Sequence, residues 1–165
     1  MLIDEVTIQL EAGNGGKGAV AFQKVKLAQG PTGGDGGRGA NVYLEGSTDI
    51  NALSYFANKK IIHAEDGKDG RGQFIDGRSG ADLILKVPAG TKITNSSTGY
   101  VQEITEPGER LLVAGGGIGG RGNFKFRSSI NTTPMESEPG KEGDITQYKF
   151  ELRLVADVGL IGLPK

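Results

Sequence analysis

Apolar and polar positions alternate with period two in several short runs of this chain. Val6-Thr7-Ile8-Gln9-Leu10 puts three apolar side chains on one face of an extended backbone. Ala19 to Phe22 does so more loosely. Val42 to Leu44, Leu83 to Val87, Tyr100 to Ile104 and Leu111 to Ala114 are further candidate strands. The longest run extends from Ile145 to Val155 and alternates through Tyr148, Phe150, Leu152 and Leu154. Turn residues punctuate these runs at Pro88-Ala89-Gly90, Ser97-Thr98-Gly99, Pro107-Gly108 and Pro139-Gly140. No stretch carries the 3.6-residue spacing of an amphipathic helix. The pattern predicts an all-β fold, a short-strand barrel or sandwich.

Between the strands a second period takes over. Glycine supplies 29 of 165 residues, about 18% against a usual ~7%. Four clusters hold 21 of them, in 13–18, 30–39, 67–80 and 115–122, and their spacing is often three. Gly30, Gly33, Gly36 and Gly39 form one row, and Gly116, Gly119 and Gly122 another. Gly34/Gly37 and Gly117/Gly120 run beside them. Three residues per turn is the repeat of a polyproline II helix, a left-handed form with no internal hydrogen bonds. Glycine at every third position lets such chains pack backbone to backbone. Flexible linkers are the competing reading, but linkers are usually rich in Ser and need no register. Almost no Ser occurs in these clusters, so packed segments projecting from the β unit are expected.

Candidate chemistry changes this picture little. GxGxxG occurs at Gly34/Gly36/Gly39 and at Gly117/Gly119/Gly122. A dinucleotide site needs a helix to open there, and Asn123 to Ser129 has no helical period before Pro134. Gly33-Gly34-Asp35-Gly36 begins like a calcium β-roll repeat, but Arg38 stands where a carboxylate is needed. One histidine, His63, and no cysteine leave no thiolate or multi-histidine metal site. No catalytic residues or metal ligands are assigned. The chain starts without a basic n-region and has no apolar run near the ~18 residues of a membrane span. With zero Cys, a cytoplasmic location is expected.

Charge is informative through its placement. The formal net charge is −1. Residues 13–39 carry net +3, 115–129 net +3 and 59–80 net +1, leaving −8 for the remainder. Cations kept on glycine segments in an otherwise acidic chain point to a polyanion such as a phosphate backbone. Asn14, Lys17, Lys24, Lys26, Arg38, Arg71, Arg78, Arg121 and Lys125 are the candidate RNA-facing residues.

Several motifs then converge on one family. Gly13-Asn14-Gly15-Gly16-Lys17-Gly18, Gly33-Gly34-Asp35-Gly36-Gly37-Arg38-Gly39, Lys86-Val87-Pro88-Ala89-Gly90-Thr91 and Gly116-Gly117-Ile118-Gly119-Gly120-Arg121-Gly122-Asn123 resemble the N-terminal part of Obg GTPases. Asn131-Thr132-Thr133-Pro134 and Glu138-Pro139-Gly140-Lys141-Glu142-Gly143 continue the likeness. Leu154 to Pro164 looks like the first strand of that family's G domain. The resemblance implies a β-barrel carrying six packed glycine-rich helices over 1–156, with 157–165 opening a GTPase domain. Gly162, Leu163 and Pro164 would begin its GTP-binding loop, and Lys165 stands where the family usually has Asn. It also implies a GTPase that assists large ribosomal subunit assembly, takes part in a guanine-nucleotide stress response and docks near the peptidyl-transferase centre. The phosphate-binding Gly-Lys-Ser is not reached, so no GTP hydrolysis is expected of these residues; GTP/GDP and Mg2+ belong to the intact protein. Phe22-Gln23-Lys24-Val25-Lys26 is less basic than the family's usual stretch. Other readings are a module docking on its own G domain or a stress-response partner, and a structural spacer.

Overall fold

A computed structural model describes residues 3–27 and 29–153. Alternation translates directly into strands. β1 (Glu5–Glu11), β3 (Ile61–His63), β5 (Thr91–Asn95), β6 (Val101–Ile104) and β8 (Ile145–Leu152) form one sheet in the order β3-β1-β8-β5-β6. β2 (Val42–Ser47), β4 (Leu83–Pro88) and β7 (Arg110–Ala114) form a second, ordered β4-β2-β7. Most pairs are antiparallel, while β1/β3 and β2/β4 run parallel. Among the described residues the sheets stay separate, a sandwich rather than the closed barrel implied by the resemblance.

The inward residues of the alternating runs make the core. Ile8 and Leu10 of β1, Val42 and Leu44 of β2, and Phe150 of β8 are buried. Phe56, on a short 3-10 turn over Ala52–Phe56, meets Phe150 edge to face at 5.4 Å between centroids. Tyr148 links the sheets, its hydroxyl donating to the Val113 carbonyl at 2.6 Å. Burial and the nearby Asp144 carboxylate raise the Tyr148 pKa above its usual value.

The glycine-rich chain leaves and rejoins the sheets in three excursions. One runs from β1 to β2, one from β3 to β4 and one from β7 to β8, each out and back. The six extended segments lie at 12–21, 31–41, 64–71, 75–82, 115–122 and 138–144, with no strand or helix assignment. Ala19–Phe22, expected as a strand, contributes only an isolated bridge between Phe22 and Pro31. It belongs to the first excursion, where neighbouring segments rather than a sheet take up its backbone. Pro139-Gly140, expected as a turn, lies within the sixth segment. Gly140 there packs on the Gly15 carbonyl, so its small size serves close approach rather than reversal.

Hydrogen bonding between segments follows the three-residue repeat. Gly34, Gly37 and Ala40 donate their N–H groups to Arg71, Lys68 and Glu65 of the third segment. Gly36 and Gly39 donate to Gly120 and Gly117 of the fifth. Asp35, Arg38 and Asn41 donate to side chains of the fourth, Asp76, Ser79 and Asp82. Every N–H from Gly33 to Asn41 thus has a partner, with Gly33 donating to Asn123 Oδ1. The first segment does the same from Gly13 to Ala19, using the second, third and sixth segments and the carboxylates of Asp66 and Asp69. In these two segments a helix type without internal hydrogen bonds thus finds partners for its N–H groups on its neighbours.

Close spacing of the segments explains the glycines. A methyl on Gly33, Gly36, Gly39, Gly116, Gly119 or Gly122 would collide with a carbonyl oxygen of a neighbouring segment. Gly30 differs. Nothing lies within 4 Å of the position a Cβ would take, so Gly30 is not a packing glycine although it continues the row. It sits where the second segment emerges from the loop that precedes it.

At the foot of the third segment His63 bridges two carboxylates. Nδ1 lies 3.0 Å from Glu11 and Nε2 2.8 Å from Asp66. The bond to Asp66 raises the His63 pKa, and the Asn14 N–H, together with His63, lowers that of Asp66. Folding therefore favours protonated His63. Its contribution is complete below the unfolded value near 6.5 and is lost as pH rises through the higher folded value. Denaturant stability should fall between pH 6 and 8 by no more than the about 0.2–1 kcal/mol of exposed pairs. His63→Gln should remove that slope.

Candidate RNA-facing tips

The three excursions end in loops at the far end of the bundle, over residues 20–30, 71–75 and 123–137. Cations concentrate there. Lys24 and Lys26 lie on the first loop, Arg71 on the second, Lys125 and Arg127 on the third. Residues 20–30, 71–75 and 123–135 contain no Asp or Glu. All five cations are exposed, and among the described residues only Lys125 has an ion pair, 3.7 Å from Asp35.

The other predicted residues lie along the bundle. Lys17, Arg38 and Arg78 are exposed on its flanks and have no ion pair among the described residues. Arg121 is engaged with Glu138, its Nε donating at 3.0 Å and its Nη2 also bonded to the same carboxylate. That pairing raises the Arg121 pKa and lowers that of Glu138. Asn14 is a packing residue near the sheets, its Oδ1 accepting from the Gly143 N–H at 3.0 Å. Gly162, Leu163, Pro164 and the 156/157 boundary lie outside the described residues. The structure adds Arg127, which sequence reading counted as charge without singling it out.

Acids that balanced the charge count also acquire a structural role. Asp66 and Asp69 accept backbone N–H groups of the first segment, and Asp76 and Asp82, with the Ser79 hydroxyl between them, accept those of the second. Their own spacing of three was the available signal. These carboxylates are engaged along the bundle, whereas residues 20–30, 71–75 and 123–135 carry cations without an acid.

Asn123 ties the tips together. Its side chain is fully buried, Oδ1 accepting from Gly33 at 2.8 Å and Nδ2 donating to the Ala21 and Pro134 carbonyls at 3.0 and 3.1 Å. Two excursions and both sides of the third loop meet in one amide. Leucine at this position leaves three buried partners unpaired at about 1–3 kcal/mol each. Asn123→Leu should therefore lower stability by more than about 2 kcal/mol in a denaturant titration, and hydrogen exchange should quicken at Gly33.

The family model described as GTP1/OBG matches residues 3–154. The chain belongs to the GTP1/OBG family. It is 42% identical to the GTPase Obg of Nautilia profundicola over 99% of its own length and 47% of that protein's. It is 46% identical to the GTPase Obg of Malacoplasma penetrans, over 99% of its own length and 39% of that protein's. The chain thus spans less than half the length of these Obg relatives. In this Obg-family chain the matched region includes every described strand and all six glycine segments. The second GxGxxG is part of that bundle. Gly117, Gly119 and Gly122 pack on Lys141, Gly36 and Gly33, and only a four-residue 3-10 turn, Asn123–Phe126, follows.

Proposed function

We propose that this chain is the docking domain of a GTPase and that its tip loops bind RNA of the large ribosomal subunit near the peptidyl-transferase centre. One observation carries the reading: five cations against a single acid, Glu136, on three loops held side by side by the ladder of segments. Phosphate contacts by such cations supply affinity without reading sequence. Lys24, Lys26 and Arg71 lead, with Arg127 and the partly neutralised Lys125 beside them. Lys17, Arg38 and Arg78 extend the surface along the flanks.

GTP or GDP and Mg2+ would be held by the G domain of the intact, cytoplasmic protein, which would hydrolyse GTP and assist subunit assembly and the stress response. Among the described residues no cluster of three or more His, Asp or Glu could hold a metal ion. The deciding experiment measures binding of this chain to isolated large subunits over a salt series. A steep decline supports RNA docking, and salt-independent binding overturns it.

A second reading, docking on the protein's own G domain, draws on a different surface. A groove of about 410 Å3 lies between the Ala52–Phe56 turn and β4, lined by Ala52, Tyr55, Ile84 and Lys86 among others. It borders β4, an edge strand. Substitution there should leave salt-dependent subunit binding unchanged.

A further inference from the structure

Two uncompensated costs meet at one point on the tips. A pocket of about 250 Å3 opens between the first and second tip loops, lined by Gln23, Lys24, Val25, Thr32, Gln73 and Phe74. Thr32 is 2% exposed, yet its hydroxyl is buried without a hydrogen-bond partner among the described residues. An orphaned buried hydroxyl is destabilising, and folded proteins rarely tolerate one without cause. Beside it, Gln73 and Phe74 hold φ of 60° and 61°. A bulky side chain in the left-handed region is an outlier, and such strain gathers at ligand-binding sites.

The strain is held by specific contacts. The Phe74 N–H donates to the Thr32 carbonyl at 2.8 Å, and the Arg71 N–H to that of Ile75 at 2.8 Å. The Phe74 ring meets Phe124 of the third loop edge to face, centroids 5.0 Å apart at 88°. An aromatic ring that remains 55% exposed is thus fixed in place at the pocket wall. Packing alone gives no reason to present it there.

We propose that this pocket receives one unstacked nucleobase from an RNA strand. The proposal rests on the RNA-docking reading above and deepens it. Phe74 supplies the stacking surface, and every base has a π face to offer it. The Thr32 hydroxyl and the amides of Gln23 and Gln73 supply both donors and acceptors for a base edge. Lys24 at the rim takes the adjoining phosphate. The pocket is smaller than the about 300–1,000 Å3 of sites for drug-sized ligands, which suits one planar heterocycle. The five cations of the surrounding loops favour a polyanionic carrier over a free neutral molecule.

The test compares two labelled probes by fluorescence anisotropy at low salt, a twelve-nucleotide single-stranded oligouridylate and an abasic ribose-phosphate strand of equal length. One stacked base contributes about 1–3 kcal/mol, so the base-bearing strand should bind at least about fivefold tighter. Thr32→Val and Phe74→Leu should each bring the two probes to within about twofold while leaving abasic binding unchanged. Thr32→Val preserves the shape of the side chain, so it decides the matter if Phe74→Leu disturbs the loop. Equal binding of both probes by the unmodified chain overturns the pocket, as does a preference that survives Thr32→Val. Base preference combined with salt-independent subunit binding supports the pocket and overturns the ribosomal reading. Salt-steep subunit binding without base preference does the reverse.

Discussion

Alanine at Gly36 or Gly119 is expected to lower stability by about 3 kcal/mol or more, a severe effect for the addition of one methyl group. The two residues face each other across the second and fifth segments. A Cβ on Gly119 would fall on the Gly36 carbonyl, and one on Gly36 would fall on the Gly16 carbonyl. Over-packing of side chains in a core typically costs about 1–3 kcal/mol because neighbours can shift rotamers. Here the obstacle is backbone, and moving it breaks hydrogen bonds of the same ladder, such as Gly36 N–H to Gly120 and Gly16 N–H to Gly37. Gly30 provides the contrast. With open space around its Cβ position, Gly30→Ala should be neutral or stabilise by about 0.4–1 kcal/mol through the unfolded chain. Urea titrations of the three variants would read both signs. A gain at Gly36 and Gly119 as well would mean the segments do not pack.

The second large effect concerns binding. Converting Lys24, Lys26 and Arg71 together to Glu is expected to abolish most large-subunit affinity and to flatten the slope of log affinity against log salt by about 2–3. Each phosphate contact contributes roughly 0.7–0.9 to that slope. Stability should change by less than ~0.5 kcal/mol for each exposed position. Lys60 and Lys86, exposed on the sheet side of the molecule and without ion pairs among the described residues, form the control pair. Arg121 is a poor probe because reversing it also strands Glu138. Equal loss from tip and control variants would sink the tip-docking interpretation.

How far the sequence revealed these surfaces depended on the period involved. Alternation exposed β1, β2, β4, β6, β7 and all of β8, because one face of each is buried; the run to Val155 overshoots at Arg153, and 154–155 lie outside the described residues. It did not expose β3, only three residues long, or β5, whose Thr91-Lys92-Ile93-Thr94-Asn95 has one strongly apolar position. The threefold glycine rows were legible wherever a cluster was dense. The sixth segment was not, since it shows only Gly140 and Gly143, beside a proline that reads as a turn. Linear charge counting singled out Lys24, Lys26, Arg71 and Lys125 but could not see that Glu138 returns alongside Arg121, or that Asp35 lies near Lys125. The strain at Phe74 and the isolation of the Thr32 hydroxyl arise only from tertiary geometry and have no signature in the sequence.

The ladder also constrains when the molecule can form. The first segment depends on the sixth for partners, Gly15 N–H reaching the Lys141 carbonyl and Asn14 Oδ1 receiving the Gly143 N–H across 129 residues. Such non-local pairing means high contact order, with loop-closure entropy lost before the contacts that offset it appear. During synthesis, the N–H groups of Ala12, Gly15 and Gly18 must wait unpaired until Asp144, Lys141 and Glu138 have emerged. This domain should therefore fold late and as a unit, and nascent chains halted before residue 138 should remain open to protease.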